Sequence, residues 1–430
     1  MRLQIESIDI QDVRAGSTSA VKDRVLCVNF DELKELICGD SRIRSVDLDV
    51  VHPGDRVRVL NLMDVVQPRC KIGQFETDFP GFAGKLQIAG SGQTLSLRGV
   101  AVLVSNPHTK RKYSALLDMA GLGAELSKYA KMTNVHVSPH PADGIEERDF
   151  EDAVKLAGFK TAVHLARVAR GQPADEVEVY DLSIPDIERG SDLPRIAYYY
   201  QVYSPQHDHL GISDPCFYGT DVRDLNPTII HPNEVLDGGI VGHHTIRSLD
   251  TYTIQNHGVI KELYGRHGKD LLLAGVVVGA ANMDPVARKR KAIMAANLIK
   301  NVLGADGVII TKIHGGMPHV DMALVGEECE RLGVRTAVFT QPVISSGTLA
   351  DTLLFNSKAL DLIITVGSTL ERVDLPLAAD RFLGGTARTK VFLADPGEQH
   401  ADDPVIDQEE MLIAGVHDHL GGAKIIVKEY

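Results

Sequence analysis

Residues 271–367 alternate apolar runs with helix-like segments, and this alternation limits the fold more than any other feature of the chain. The four apolar runs are LLLAGVVVG, GVIIT, TAVFT and DLIITVG, at residues 271–279, 307–311, 336–340 and 361–367. Helices are predicted between them at residues 285–303, 321–332 and 349–358, the first capped by Asp284 and ended by Gly304. Continuous apolar strands that alternate with helices are typical of a doubly wound parallel sheet covered on both faces.

The first 145 residues have a different pattern, with short alternating segments that Gly and Pro interrupt. Strands are indicated at residues 45–55, 56–62 and 94–105, which predicts a mainly β domain. A helix is predicted over 149–170 and an aromatic strand over 195–205. The predicted fold class is therefore α/β. A mainly β domain over 1–145 precedes an α/β domain over 146–430, with a linker loop near 240–257 and the parallel sheet from 271 onward.

Composition excludes several classes of function. No segment approaches the roughly 18 consecutive apolar residues of a membrane span, and the alternating start at residues 1–13 is unlike a signal peptide. The net charge of −13, with both signs interspersed, argues against nucleic-acid binding. Five cysteines without CxxC spacing indicate reduced thiols. We therefore expect a cytoplasmic protein that binds neither nucleic acid nor membrane.

Ligands of open parallel sheets bind outside the carboxyl ends of the strands, which selects the loops that follow the apolar runs. The loops after residues 311 and 340 are rich in polar side chains, and we predict that they bind substrate through His314, His319, Asp321, Gln341 and Ser345. The alternative is that these are ordinary solvated loops whose glycines serve turns.

Histidines are concentrated in the second half of the chain. His207 and His209 share one side of an extended segment, and His231, His243, His244 and His257 follow within a short stretch. Such imidazoles can act as acids, bases or metal ligands, and the candidate metal set is His207, His209 and His244. No fixed metal-binding spacing supports this set, so hydrogen-bonded loop histidines are the alternative.

Several segments together resemble the proprotein subunit of component B of glycine/sarcosine/betaine reductase, a family that includes the D-proline reductase proprotein. The most specific are HPNEVLDGG at residues 231–239 and LYGRHGKD at 263–270, which flank GHHTIRSLD at 242–250. Others are VDLDVVHPGD near the start, LLDMAG at 116–121 and GADGVIIT at 304–311. The resemblance covers most of the chain.

The resemblance implies an oxidoreductase subunit that binds a small amine and takes part in reductive C–N cleavage beside a second component B subunit. In that family a linker cysteine cleaves the chain and becomes a pyruvoyl group, which forms a Schiff base with the substrate amine. The corresponding residue here is Thr245, whose elimination would give a bulkier ketobutyryl group. We therefore expect an uncut chain without a pyruvoyl group.

Without that carbonyl, the expected catalytic residues are His207, His209, His243, His244 and Thr245, acting on a small amine or amide. A divalent metal held by the histidines stays open. Two other functions also stay open: a repurposed histidine-based, metal-dependent hydrolase or lyase, and a non-catalytic scaffold subunit.

Overall fold

The structure is a computed structural model that describes residues 1–73, 77–110, 115–182, 192–202, 215–223, 225–243, 249–282, 284–312, 318–340, 357–365, 372–391, 398–416, 418 and 420. Within these ranges, no helix is both long and apolar enough to span a bilayer.

The strands are β1 (Arg2–Asp9), β2 (Asp12–Ala15), β3 (Ala20–Lys22), β4 (Val25–Val28), β5 (Ile43–Val51), β6 (Val57–Val66), β7 (Arg69–Lys71), β8 (Gly92–Arg98), β9 (Val100–Ser105), β10 (Ala115–Asp118), β11 (Thr133–Pro141), β12 (Glu176–Asp181), β13 (Arg195–Val202), β14 (Thr228–Ile230), β15 (Leu272–Ala280), β16 (Gly307–Lys312), β17 (Arg335–Thr340), β18 (Leu362–Thr365), β19 (Arg372–Pro376), β20 (Arg381–Leu383), β21 (Lys390–Val391), β22 (Gln399–His400) and β23 (Val405–Glu409). The α-helices are α1 (Phe30–Cys38), α2 (Gly121–Leu126), α3 (Glu147–Val168), α4 (Pro232–Leu236), α5 (Thr251–Gln255), α6 (Gly258–Arg266), α7 (Pro285–Asn297) and α8 (Pro318–Arg331). Short 3₁₀ turns lie at Tyr129–Lys131 and Glu410–Leu412, and a π-helical turn at Leu298–Val302.

The N-terminal part is mainly β, as its alternating pattern predicts. One sheet has the order β12-β1-β8-β7, and a second has the order β10-β6-β9-β11-β5. Helix α3 contributes Phe150, Val154 and Ala157 to the core that these strands build. The helix was expected over residues 149–170 and starts and ends two residues earlier. The N-terminal part is therefore a β structure with one long buried helix packed on it.

Strands from later in the chain join this β structure. Strand β12 pairs with β1, and β20 pairs in parallel with β6, more than 300 residues earlier in the sequence. Leu375, Ile406 and Ile413 pack in one apolar cluster with Leu60 and Leu116. The division of the chain at residue 145 stays a prediction, and these contacts tie the two proposed parts together.

The second half contains the expected parallel sheet, with the order β14-β15-β13-β16-β17-β18. Every neighbouring pair is parallel except β14 with β15, which is an antiparallel edge. Counted along the chain, the five parallel strands have the order 2-1-3-4-5, one of the two common doubly wound orders. The prediction of an α/β fold with a doubly wound sheet is confirmed.

Helices cover both faces of this sheet because its strands are apolar on both sides. On one face, Tyr199, Val277 and Ile310 pack against Ala295 of α7 and Met322 of α8. On the other, the sheet packs against α4, α5 and α6 and, beyond them, strands β1 and β12. The layer of α4 to α6 therefore connects the parallel sheet to the N-terminal β structure.

Most boundaries expected from periodicity hold to within a few residues where the structure describes them. The strand expected over 94–105 is an exception: it is two strands, β8 and β9, which lie in different sheets and are separated by Gly99 at a φ of +78°. The helix expected to reach residue 303 is α-helical only to Asn297 and then widens into the π-helical turn, where the amide of Leu303 donates to the Leu298 carbonyl at 2.9 Å. It ends at Gly304, whose φ of +63° is a conformation that favours glycine. The helix expected at 349–358 lies almost entirely outside the described residues.

Candidate functional site

The segment at residues 242–250, which the family resemblance singles out, is closed at its base by hydrogen bonds. The amide of Gly242 donates to the Thr251 hydroxyl at 3.0 Å, so the two ends of the segment lie against each other. The Lys155 ammonium, on α3, donates to the carbonyl of Gly242. Gly242 is thus held through both its amide and its carbonyl.

A buried carboxylate on β6 holds the far side of this base. Asp64 accepts from the Thr251 amide at 2.8 Å and from the Thr251 hydroxyl at 2.5 Å, and its oxygen lies 4.0 Å from the Lys155 ammonium. Burial raises the pKa of Asp64 to about 6, although Lys155 and the Thr251 hydrogen bonds favour the charged form. The base of the segment is therefore a buried, charged hydrogen-bond network.

The residue before Thr251 is anchored as well. Asp250 caps α5 by accepting from the Thr253 amide at 2.8 Å, and the same oxygen accepts from the Tyr129 hydroxyl at 2.6 Å. Lys128 donates to the Thr253 hydroxyl at 2.7 Å. Both ends of the segment are consequently fixed to the N-terminal β structure, and the described residue nearest its interior, His243, is buried.

A second polar cluster lies at the carboxyl end of the parallel sheet. The strand order reverses between β13 and β16, and in such sheets ligands bind outside the strands at this point. Gln201 near the end of β13 pairs in register with Lys312, the last residue of β16, and on its other side with Gly279 of β15. Both Gln201 and Lys312 are 1% exposed.

Lys312 is an unusual residue for this position because its charged form is poorly solvated. Burial lowers the pKa of Lys312 to about 7, which makes the neutral amine abundant near physiological pH. Side chains of a strand alternate between its faces, so Lys312 lies on the same face as Val308 and Ile310, the face that α7 and α8 cover.

Asp321, near the start of α8, belongs to this same end of the sheet. It accepts from the Asn282 amide at 3.1 Å, just after β15, and lies 3.2 Å from the Arg288 guanidinium. Burial raises the pKa of Asp321 to about 6, against the lowering effect of these partners. Burial first, and the Asp321 charge second, raise the pKa of the neighbouring Tyr199 hydroxyl.

On the opposite face of the sheet, a histidine joins the strand ends to a helix. His257 caps α6 by accepting from the Ile260 amide at Nδ1, and burial lowers the pKa of His257 to about 3. The neutral ring therefore carries its proton on Nε2, which lies 3.1 Å from the Tyr198 hydroxyl and donates to it. Tyr198 is hydrogen-bonded in turn to Thr311 of β16.

Two members of the histidine-rich stretch are thus structural caps. His231 caps α4 in the same way: its ring accepts from the Asn233 amide at 3.2 Å, and the Glu234 carboxylate accepts from the His231 amide at 2.6 Å. For His231 and His257 the structure therefore supports the alternative that they are hydrogen-bonded histidines and not metal ligands.

The residues predicted to form the site are only partly covered by the structure. His243, His319 and Asp321 are described, and all three are buried. The others lie outside the described residues: His207, His209, His244, Thr245, His314, Gln341 and Ser345. No group of three metal-binding side chains occurs within the described ranges. The proposed metal ligands are not among those residues, so the metal stays a prediction.

Sequence reasoning missed Lys312, Gln201, Lys155 and Asp64. A signal existed for Lys312, which directly follows a buried apolar run at the point where ligands bind. Nothing local distinguishes a buried lysine there from an exposed one, so burial had to come from the fold.

Comparison with known proteins agrees with the resemblance. The sequence model of a family described as glycine/sarcosine/betaine reductase component B subunits matches residues 1–428. The chain is 30% identical over 437 residues to the glycine reductase complex component B subunits alpha and beta of Acetoanaerobium sticklandii, and the alignment covers all of both chains. It is 32% identical over 345 residues to the sarcosine reductase complex component B subunit alpha of Peptoclostridium acidaminophilum, with 79% of each chain covered.

A third relative is the betaine reductase complex component B subunit alpha of Peptoclostridium acidaminophilum, 28% identical over 435 residues, which cover 96% of this chain and 97% of that one. No solved structure matches the chain. The full-length family match and these relatives show that the chain belongs to the family of glycine/sarcosine/betaine reductase component B subunits.

Proposed function

We propose that this chain is the substrate-binding subunit of a multi-subunit reductase that cleaves a C–N bond of a small amine or amide. The observation that carries the proposal is similarity over the whole chain to component B subunits named for glycine, sarcosine and betaine reductase complexes. The three names refer to small compounds that carry an amine or a quaternary ammonium group. The partner in this proposal is a second component B-like subunit.

We further propose that the chain works uncut and without a pyruvoyl group. Thr245 stands where the family resemblance places the reactive cysteine. The hydrogen bonds that join Gly242 to Thr251, and Thr251 to Asp64, would hold the two ends of an intact loop together.

In this proposal, cleavage without a protein carbonyl needs two other contributions. The substrate must be oriented and polarised, and the leaving nitrogen must be protonated. We assign orientation to His314, His319, Asp321, Gln341 and Ser345, and proton donation to His207, His209, His243 and His244. Asp321 supports this assignment because its carboxylate is buried at the ligand-binding end of the sheet.

The decisive experiment begins with denaturing mass spectrometry of the purified chain. A single species at full-length mass is expected, and two fragments split between His244 and Thr245 with a blocked new terminus would overturn the uncut proposal. The chain is then co-expressed with the product of a neighbouring gene, and the material is assayed anaerobically for reductant-dependent amine release from a panel of small amines and amides.

A complex that releases amine only with both subunits and a reductant present is the expected result. Release that needs no reductant would instead identify a hydrolase or lyase. A chain that stays monomeric and never forms a complex would contradict the subunit assignment.

A further inference from the structure

Lys312 lies in a place where burial favours the neutral form of its amine. It ends β16 after the run Gly307–Thr311, and it is 1% exposed at the point where the strand order reverses. Moving an ammonium group out of water costs several kcal/mol, whereas the neutral amine is much less penalised. A buried amine at a ligand-binding strand end is the setting in which lysines act as nucleophiles.

Polar and titratable side chains lie at the same end of the sheet as Lys312. Gln201 is its direct neighbour across the strands, with Gly279 on the far side of Gln201. The titratable groups on the elements that pack against this end and face of the sheet are Tyr199 on β13, Arg288 and Lys291 on α7, and His319 and Asp321 on α8. A Cβ at Gly279 would meet the hydroxyl and ring of Tyr199, so Tyr199 packs directly against the backbone beside Gln201.

We propose that the Lys312 amine is a nucleophile that forms a Schiff base with an aldehyde or ketone group of the substrate. This inference rests on the proposed function and narrows its substrate to a small amine that also carries a reactive carbonyl group.

The step balances without any oxidant or reductant. The nitrogen lone pair of Lys312 attacks the carbonyl carbon, the C=O π electrons move to oxygen, and one proton passes from nitrogen to that oxygen. Loss of one water molecule from the carbinolamine then leaves a C=N bond to Lys312. We assign these proton transfers to Asp321 and His319, which lie on α8, the helix that covers the face of the sheet carrying Lys312. Once protonated, the imine withdraws electrons from bonds at the neighbouring carbon, which weakens a C–N bond there.

The isolated chain provides the test. It is incubated with glyoxylate, a small aldehyde, and with sodium cyanoborohydride, which reduces an imine to a stable amine adduct. Peptide mass mapping then locates the adducts. At pH 7 an amine with a pKa of about 7 has on the order of a thousand times more neutral form than an ordinary lysine. We therefore expect Lys312 to react at least about tenfold faster than the exposed Lys34, with a half-maximal rate near pH 7.

Two variants sharpen the result. Lys312→Arg removes the nucleophile, so the fast adduct should vanish, whereas Lys34→Arg should leave it unchanged. If Lys312→Arg does not fold, the pH dependence of adduct formation at Lys312 in the wild type still tests the proposal, because its half-maximal rate should lie near pH 7. Adducts confined to exposed lysines, with Lys312 unmodified at every pH, would overturn the proposal.

The outcome is separable from that of the proposed function. The labelling needs no partner subunit and no turnover. If Lys312 stays unlabelled while the complex reductively cleaves an amine, only the Schiff base is wrong. If Lys312 is labelled but no complex shows reductant-dependent cleavage, the nucleophile stands and the reductase assignment fails.

Discussion

Replacing Thr251 with valine should loosen the base of the segment at 242–250 and destabilise the chain. Thr251 is fully buried, and valine keeps its shape. The change leaves the Gly242 amide without its acceptor, which costs about 1–3 kcal/mol for a buried group, and removes a hydrogen bond to a charged group, worth about 1.5–3 kcal/mol. Allowing for the gain from a buried methyl group, we expect the free energy of unfolding to fall by about 3–5 kcal/mol.

A matched control exists in α3. Thr161 is also fully buried, but its hydroxyl donates only to the Ala157 carbonyl, one helical turn earlier. When the Thr161 hydroxyl is lost, that carbonyl keeps its place in the helix. Thr161→Val should therefore cost less than about 1 kcal/mol. Urea unfolding measures both variants, and hydrogen exchange of peptides that cover residues 239–243 measures the local effect. Equal costs for the two variants would refute the role assigned to Thr251.

The cost of Thr251→Val should also depend on pH. The pKa of Asp64 is raised from 3.8 to about 6 on folding, so this carboxyl stabilises the fold fully below pH 3.8 and loses that contribution as the pH rises through about 6. The Thr251 hydroxyl favours the charged form, so its removal raises the pKa of Asp64 further. The variant should accordingly lose more stability at pH 8 than at pH 5, and a smaller loss at pH 8 would contradict the network.

Three other changes test the carboxyl end of the sheet and the predicted histidines. The pKa of Asp321 rises from 3.8 to about 6 on folding, so the free energy of unfolding of the wild type should fall by about 2 kcal/mol between pH 4 and pH 7. Asp321→Asn should abolish this fall, as urea midpoints at the two pH values would measure. Gly279→Ala should destabilise by about 1–3 kcal/mol because its Cβ meets the Tyr199 hydroxyl and then the ring, and thermal melts should show partial recovery when Tyr199→Phe removes that hydroxyl. His244→Ala and His209→Ala should each abolish turnover of the complex without moving the thermal midpoint, and surviving activity in both would make these histidines structural.

Much of the fold was predictable because it depends on local periodicity. The apolar runs at 271–279 and 307–311 became buried strands, and the Asp284-Pro285 start of α7 was identified from its cap. Strand order depends on contacts between distant residues, and no local pattern gives it. The aromatic run that starts at Arg195 was expected to be a strand, but its central place between β15 and β16 follows only from the folded chain. The pairing of β20 with β6 is a second case.

The candidate site was less predictable because burial changes what a side chain can do. His231 and His257 resemble metal ligands in the sequence, yet each caps a helix, a position more often taken by Ser, Thr, Asp or Asn. Lys312 resembles an ordinary solvated lysine after a strand, yet it is buried. Asp64 lies in an apolar strand far from the segment that it holds, and only the packing of β6 against α5 brings the two together.

The two clusters of the candidate site are joined by one short stretch of chain. Thr251, at the base of the 242–250 segment, begins α5, and His257 follows six residues later with its ring on Tyr198, which bonds Thr311 beside Lys312. Six residues span about 9 Å in a helix and about 20 Å when fully extended. The distance from Thr251, at the segment base, to His257 is therefore at most about 20 Å. Because α5 is buried and capped at Asp250, displacement of the segment base would act directly on the strand ends. Six residues of chain thus connect the base of the 242–250 segment to the histidine that contacts the carboxyl end of the parallel sheet. In the uncut chain that we propose, this connection would let the segment hold α5 in place and, through His257, the strand end beside Lys312.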